Sequence, residues 1–226
     1  MEEKHLQSSE FIKDIVIGVS DGLTVPFALA AGLSGAVTDT GIITTAGIAE
    51  IVAGSIAMGL GGYLAGRTEV EHYDSELKRE LDEVKRVPEI EKQEVKNIFA
   101  NYGLDENAQN MVVDILAKSE EKWTGFMMKF ELGLEKPDIN RARNSALTIG
   151  IAYMFGGIIP LSPYFFVKDA EAGLMYSVIL TLITLFIFGF LKSKVTGQNP
   201  LIGALKVTLI GAVAAGAAFF VARLFG

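Results

Sequence analysis

Two carboxylates sit in stretches that otherwise hold no charge. Asp21 is the only ionisable acid or base from Ile15 to Val37, and Glu50 the only one from Gly41 to Gly66. An ionised carboxylate at the centre of a bilayer-spanning helix costs roughly 2.5 to 3.5 kcal/mol on insertion scales, so such groups face a partner or a water path. Neither run supplies a base. The partner is then a cation from outside or a proton, and the two compete for the same oxygens. The structural alternative is capping by neighbouring hydroxyls such as Ser20 and Thr24.

A helix rises about 1.5 Å per residue, which places Asp21 roughly 9 Å and Met58 roughly 12 Å from the charged ends of their runs. Glu50 lies about 24 Å from the same end, hence deeper. The order expected along a path is Asp21 with Met58, then Glu50. Pro26 cannot donate to the Gly22 carbonyl, so a kink is expected there, with the Gly22 oxygen turned toward an ion. Around Glu50, the residues Ala46, Gly47, Ala53, Gly54, Ala57, Gly61 and Gly62 form a small-residue face suited to close helix approach.

A second set of acids lies in a polar region. Glu69, Tyr73, Glu76, Glu80 and Glu83 fall at offsets 0, 4, 7, 11 and 14, an acidic stripe where a helix seam would be apolar. Glu80 with Glu83 and Glu91 with Glu94 repeat the E-x-x-E spacing, which puts two carboxylates on one helix face. The second pair heads an expected inward face of Glu91, Glu94, Val95, Ile98 and Tyr102. Met127 and Glu131, four residues apart, also share a face. Like charges gathered this way repel unless protonated or bridged by cations. Glu69, Glu71 and Glu76 read more simply as a solvated face.

Elements must position these groups. Five runs are long enough for a hydrocarbon core that needs about 20 apolar residues: Ile15 to Val37, Gly41 to Gly66, Ser145 to Val167, Ala172 to Leu191 and Pro200 to Ala222. Residues 67 to 143 hold 18 of the 27 acids and 13 of the 20 bases. The fold class expected is an all-α membrane protein of five spans, with a cytosolic helical metal-binding domain between the second and third. Its divisions are 1–66, 67–143 and 144–226. Past Gly66 the second span continues as one long helix until Pro88. Short helices follow near Pro88 to Tyr102, Asp105 to Lys118 (apolar face Ala108, Met111, Val112, Ile115) and Glu120 to Gly133, with Trp123, Phe126 and Phe130 resting on neighbours or on the membrane surface.

Lys4, Lys13, Arg67, Arg141, Arg143, Lys192 and Lys194 cluster at one set of span ends, which puts the N-terminus and the charged domain in the cytosol and the C-terminus opposite. The polar, acidic first ten residues argue against a cleavable leader. With no cysteine and only His5 and His72, metal binding must rest on carboxylates, with methionine the only soft donor. A thioether favours iron, cobalt or manganese over calcium and magnesium. The acidic balance, with a net charge of -7, disfavours nucleic acid. One chain gives the Asp21–Met58 level two side-chain ligands, and a twofold dimer would give four.

The stretches VSDGLTVPFALAAGLSG (19 to 35) and GSIAMGLGGYLAGRTEVEHY (54 to 73), with Glu50 between, resemble the vacuolar iron transporter family, and the layout resembles its plant-type members. The resemblance implies a homodimer in the vacuolar membrane that takes up cytosolic Fe2+ in exchange for protons, with the C-terminus lumenal and no organic cofactor. Mn2+, Co2+ and Zn2+ are further candidate cargo. Asp21, Glu50 and Met58 match its translocation positions; Glu80, Glu83, Glu91, Glu94, Met127 and Glu131 match its cytosolic metal-binding domain. Glu10 is a weaker candidate for contact with that domain. Ala57 departs from the serine expected before Met58. Two other classes compete. Glu69 and His72 form an E-x-x-H as in carboxylate di-iron oxidases anchored to a membrane, although such enzymes carry two copies. A metal sensor would bind without flux.

Overall fold

The computed structural model describes residues 9–225, with side chains from Glu10 to Leu224; Lys4 and His5 lie outside the described residues. The chain forms eight α-helices over this range: α1 Ser9–Ala36, α2 Thr40–Arg86, α3 Pro88–Asn101, α4 Glu106–Leu116, α5 Glu120–Phe130, α6 Arg141–Leu161, α7 Ala170–Val195 and α8 Pro200–Phe225. A short 3-10 turn, Ser162–Phe165, follows α6. Among the described residues the only β pairing is an isolated bridge between Asp39 and Asp169. Five helices, α1, α2, α6, α7 and α8, are long and apolar enough to cross a membrane.

The chain divides into two compact units, one running to Tyr63 and resuming at Ala142, the other Leu64–Arg141. In the first unit polarity is turned inside out. Ser55, Ser145, Ser177, Thr181 and Ser193 are buried, whereas Phe155, Leu205, Leu209, Ile210 and Val213 are exposed. An apolar exterior of this extent is unsuited to water and suited to lipid. Helices approach closely where side chains vanish. A Cβ on Gly59 would come 3.0 Å from the Ala146 carbonyl, one on Gly150 3.0 Å from the Ser55 carbonyl, and one on Gly156 3.0 Å from the Leu23 nitrogen. The helix α6 therefore lies against both α1 and α2. Ser177 donates a buried hydrogen bond of 2.6 Å to the Pro160 carbonyl, and Ser34 and Tyr164 share one of 2.8 Å. These bonds satisfy polar groups that lipid could not.

The second unit packs α3, α4 and α5 around the later turns of α2. Its core joins Val84, Val95, Val113, Trp123 and Met127. Pro88 occupies the first position of α3, where its missing N–H is harmless, and this stops α2 at Arg86. Asp105 and Ser119 cap α4 and α5, accepting from Ala108 and Lys122. Two expectations need correction, and a third is decided in favour of packing on neighbours. Tyr102 is 72% exposed: it follows the last residue of α3 and leaves the inward face. On α4 the buried side is Val113, backed by Leu116 and Ala117, while Met111 and Ile115 point outward, because the helix meets its neighbours about 100° from its most apolar stripe. Trp123 belongs to the core and not to any outer surface, whereas Phe126 stacks between Phe99 and Phe130 at 5.2 and 4.8 Å, leaving Phe130 half exposed.

Candidate functional site

In the apolar unit the site is organised by Tyr153 of α6, a residue the sequence reading passed over. Its main chain lies against Gly22 so closely that a Cβ there would overlap the Tyr153 carbonyl. Gly54 of α2 faces the other end of the side chain: a Cβ there would come 2.5 Å from the phenol oxygen. The ring thus runs from the level of Asp21 to the level of Glu50. Its hydroxyl donates a hydrogen bond to Glu50 Oε1. Glu50 Oε2 is buried and has no hydrogen-bond partner. The Asp21 carboxyl lies within electrostatic reach of the same phenol. A buried carboxylate with one oxygen held and the other unmatched is incomplete, because an ungratified buried acceptor carries its full desolvation cost. A cation or a proton completes it.

The hydroxyls suggested as caps do not serve. Thr24 donates to the Ser20 carbonyl, 2.8 Å away, closing a local helix bond. Asp21 and Met58 are both partly buried, and Gly22 is buried against Tyr153. Glu10 is exposed in the first turn of α1. Asp14, four residues on and seven before Asp21, is 4% exposed. A seven-residue spacing puts it on the Asp21 face of α1, a signal the sequence offered but that its place at the edge of the apolar run obscured. Of the small residues around Glu50, Gly47 packs on Leu161, Gly54 on Tyr153 and Gly62 on Ile149. Ala53, Ala57 and Gly61 remain exposed, and nothing within 4 Å would meet a Cβ on Gly61.

In the second unit the acids converge. Glu80 of α2, Glu91 of α3 and Glu131 at the end of α5 bring carboxylate oxygens within 4.8 Å of one another. Glu80 is 4% and Glu91 3% exposed; Glu131 is exposed. Burial, followed by the charges of Glu131, Glu83 and Glu94, pushes the Glu80 carboxyl up to about 7. Burial, then Glu94, Glu80, Glu131 and Glu83, raises Glu91 to about 7 as well. Glu131 is raised by burial and by Glu94 and Glu83. Glu83 and Glu94 are half-buried, and their charges reach Glu80, Glu91 and Glu131. Arg79, 3.2 Å from Glu83 and 3.8 Å from Glu76, offsets part of this charge from the outside. Met127 is fully buried in the apolar core, one turn before Glu131.

Three carboxylates this close, with Glu80 Oε2 buried and unpartnered, suit a hard or borderline divalent ion. The remaining acids of the stripe do not join them. Glu69 sits 3.6 Å from Arg141, Glu71 pairs with Arg67 at 2.8 Å, and His72 is exposed. The Arg67–Glu71 pair is exposed on both sides and contributes little, whereas Arg141 is mostly buried beneath an exposed Glu69.

Comparison with known proteins bears on both units at once. The chain is 54% identical to Vacuolar iron transporter 1 of Arabidopsis thaliana, over 98% of this chain and 89% of that protein. It is 52% identical to Vacuolar iron transporter 1 of Tulipa gesneriana, over 98% and 90%. Against Protein CCC1 of Saccharomyces cerevisiae identity is 41%, over 95% and 69%. The stretch from Ile12 to Arg223, which holds every buried carboxylate described above, matches the VIT family, and the chain belongs to that family.

Proposed function

We propose that this chain carries ferrous iron from the cytosol into the vacuole, with protons returning. It is read as a transporter and not as an enzyme. The observation that carries the proposal is the half-satisfied Glu50: Tyr153 holds one oxygen and the other is buried without a partner, in a helix fit to span a membrane. The names of its relatives supply the cargo. Asp21, with Met58 across from it on α2, forms the earlier station, Tyr153 bridges to Glu50, and Asp14 extends the acidic face of α1 toward Glu10. Each carboxylate binds either the metal or a proton, so an acidic far side displaces the metal and the exchange runs in one direction.

The second unit is the cytosolic metal-binding domain, in which Glu80, Glu91 and Glu131 hold the ion, Glu83 and Glu94 add charge, and Met127 supplies a soft wall. The thioethers admit Mn2+, Co2+ or Zn2+ as further cargo and disfavour Ca2+ and Mg2+. Ala53, Ala57 and Gly61, left open within one chain, form the face on which a second copy would close a homodimer. The oxidase alternative is weakened by Arg141 beside Glu69, which occupies the one E-x-x-H.

The test is flux in liposomes with an imposed pH gradient. Wild type is expected to carry Fe2+ and to collapse the gradient as it does so; Asp21→Ala is expected to do neither. Iron flux at the unmutated rate in Asp21→Ala would sink the scheme. Flux without proton movement would remove the exchange and leave the pathway.

A further inference from the structure

At the end of the apolar unit where α1 stops and α7 begins, a cleft of about 720 Å³ opens between α1, α7 and α8. Its rim is polar. Ser34 and Thr38 come from the end of α1, Asp169 and Glu171 from the start of α7, and Arg223 from the last turn of α8. A second, apolar cavity of about 210 Å³ is lined by Phe27, Ala31, Leu182, Ala215 and Gly216. The two share Leu174, Val178 and Phe219 as walls, so they form one groove with a charged mouth and an apolar floor. That floor is the core cluster of Phe27, Ala31 and Ala215.

The charges at the mouth are not spent on each other. Among the described residues neither Arg223 nor Glu171 makes an ion pair, and Asp169 uses one oxygen, Oδ2, to cap Ala172 at 2.9 Å. Opposite charges that line one cleft without pairing ask for a molecule carrying both signs. Arg223 matches a phosphate, whose oxygens it can take two at a time. Asp169 and Glu171 match a group with N–H donors. The floor fixes the rest of the ligand. Leu182 lies thirteen residues beyond Asp169, about 20 Å along α7, and Gly216 lies seven before Arg223, about 10 Å along α8. A slot of that depth, starting at the end of the spans and running through roughly one leaflet of a bilayer about 30 Å thick, has the reach of an acyl chain.

We infer that this groove is a lipid site selective for a phospholipid with a primary ammonium headgroup, phosphatidylethanolamine in type: phosphate on Arg223, ammonium between Asp169 and Glu171, one acyl chain in the slot over Phe27 and Gly216. Phosphatidylcholine offers no N–H to the two acids, and phosphatidylglycerol presents them a neutral glycerol in place of a cation. The site is separate from the Asp21–Tyr153–Glu50 pathway and does not depend on which ion is carried.

The test uses the full chain in detergent, incubated with equal amounts of phosphatidylethanolamine, phosphatidylcholine and phosphatidylglycerol of the same acyl chains, and retained lipid is counted by native mass spectrometry. Wild type is expected to keep phosphatidylethanolamine about tenfold over the other two, the size of one charge-assisted contact. R223Q should lower retention of all three together, since each carries the phosphate, and keep the order among them. Gly216→Leu should lose all three, since nothing within 4 Å blocks a side chain there and it enters the slot without disturbing the backbone. Should Gly216→Leu fail to fold, Glu171→Gln at the exposed rim decides, by raising phosphatidylglycerol toward the level of phosphatidylethanolamine. Ile151→Ala, on the exposed face of α6, should change nothing. Equal retention of the three lipids by wild type overturns the inference, as does unchanged retention in R223Q or unchanged selectivity in Glu171→Gln.

Discussion

The two units both remove carboxylates from water, and they do it by opposite means. In the apolar unit the acid with a defined partner, Glu50, meets a neutral neighbour, the Tyr153 phenol. In the charged unit the acids are crowded, and Glu80 and Glu91 are pushed to about 7 by burial and by each other's company. The first arrangement suits passage: a lone carboxylate binds a cation weakly enough to release it. The second suits collection, since several oxygens within 4.8 Å bind a divalent ion more firmly than any one of them. Mutations should separate these two behaviours.

The largest effect is expected in the apolar unit. Glu50→Gln keeps the shape and removes the charge, leaving a cation to cross that level without a counter-ion. At roughly 3 kcal/mol for an uncompensated charge, flux should fall on the order of a hundredfold. Iron binding by the charged unit, read by calorimetry on the same protein, should be unchanged. If binding fell together with flux, the division of labour between the units would be wrong. Next in size is Tyr153→Phe. The ring still fills the space between Gly22 and Gly54, and only the hydrogen bond to a charged group is lost, worth roughly 1.5 to 3 kcal/mol. Flux should drop about tenfold with the folded yield intact, whereas Gly22→Ala, which forces a methyl into the Tyr153 carbonyl, should lower the yield itself.

In the charged unit the expected sign is reversed. Glu80 and Glu91 ionise near 7 in the folded chain against an ordinary value of 4.5. Between those values the folded state holds more protons than the unfolded one, so stability without metal falls as pH rises from about 4.5 to about 7, then levels off. Fe2+ or Mn2+ should restore it at neutral pH by binding only the folded state. Glu91→Gln should therefore raise the metal-free thermal midpoint at pH 7.5 by several degrees while weakening metal binding, and should flatten its pH dependence. A lower midpoint in E91Q would mean that the carboxylate has a stabilising role that crowding does not describe.

The sequence showed unevenly what these units contain. The five apolar helices were plain because span length and charge exclusion are local properties. The acid stripe was plain because E-x-x-E is a spacing on one helix, although nothing in spacing alone brings Glu131 from α5 to Glu80 on α2. Tyr153 was invisible for a related reason. Its role depends on three helices meeting, through Gly22 and Gly54, and a tyrosine in an apolar run looks like any other aromatic. The depth estimate was similarly limited: rise per residue set Asp21 and Glu50 about 15 Å apart, yet one phenol, that of Tyr153, bonds Glu50 and lies within electrostatic reach of Asp21, so the two acids stand closer than counting from the helix ends implied.

The smallest expected effect tests α4, the helix that turns most of its apolar stripe outward. The apolar stripe Ala108, Met111, Val112, Ile115 of α4 is the stronger sequence pattern, yet Met111 and Ile115 are more than half exposed and Val113 is 4% exposed. If the observed register holds, Met111→Gln with Ile115→Gln removes nothing from the core and should shift stability by less than about 0.5 kcal/mol. Val113→Ala should cost about 1 to 2 kcal/mol by opening space beside Val84, Val95 and Trp123. The contrast reaches the metal site, because those same residues back Glu80 and Glu91 on their helices: Val84 is one turn after Glu80, and Val95 one turn after Glu91. A loosened core lets water reach both carboxylates and relieves the burial that raises them. Val113→Ala should then also lower the pH at which metal binding is half-lost, while the Met111 and Ile115 pair should leave it where it was.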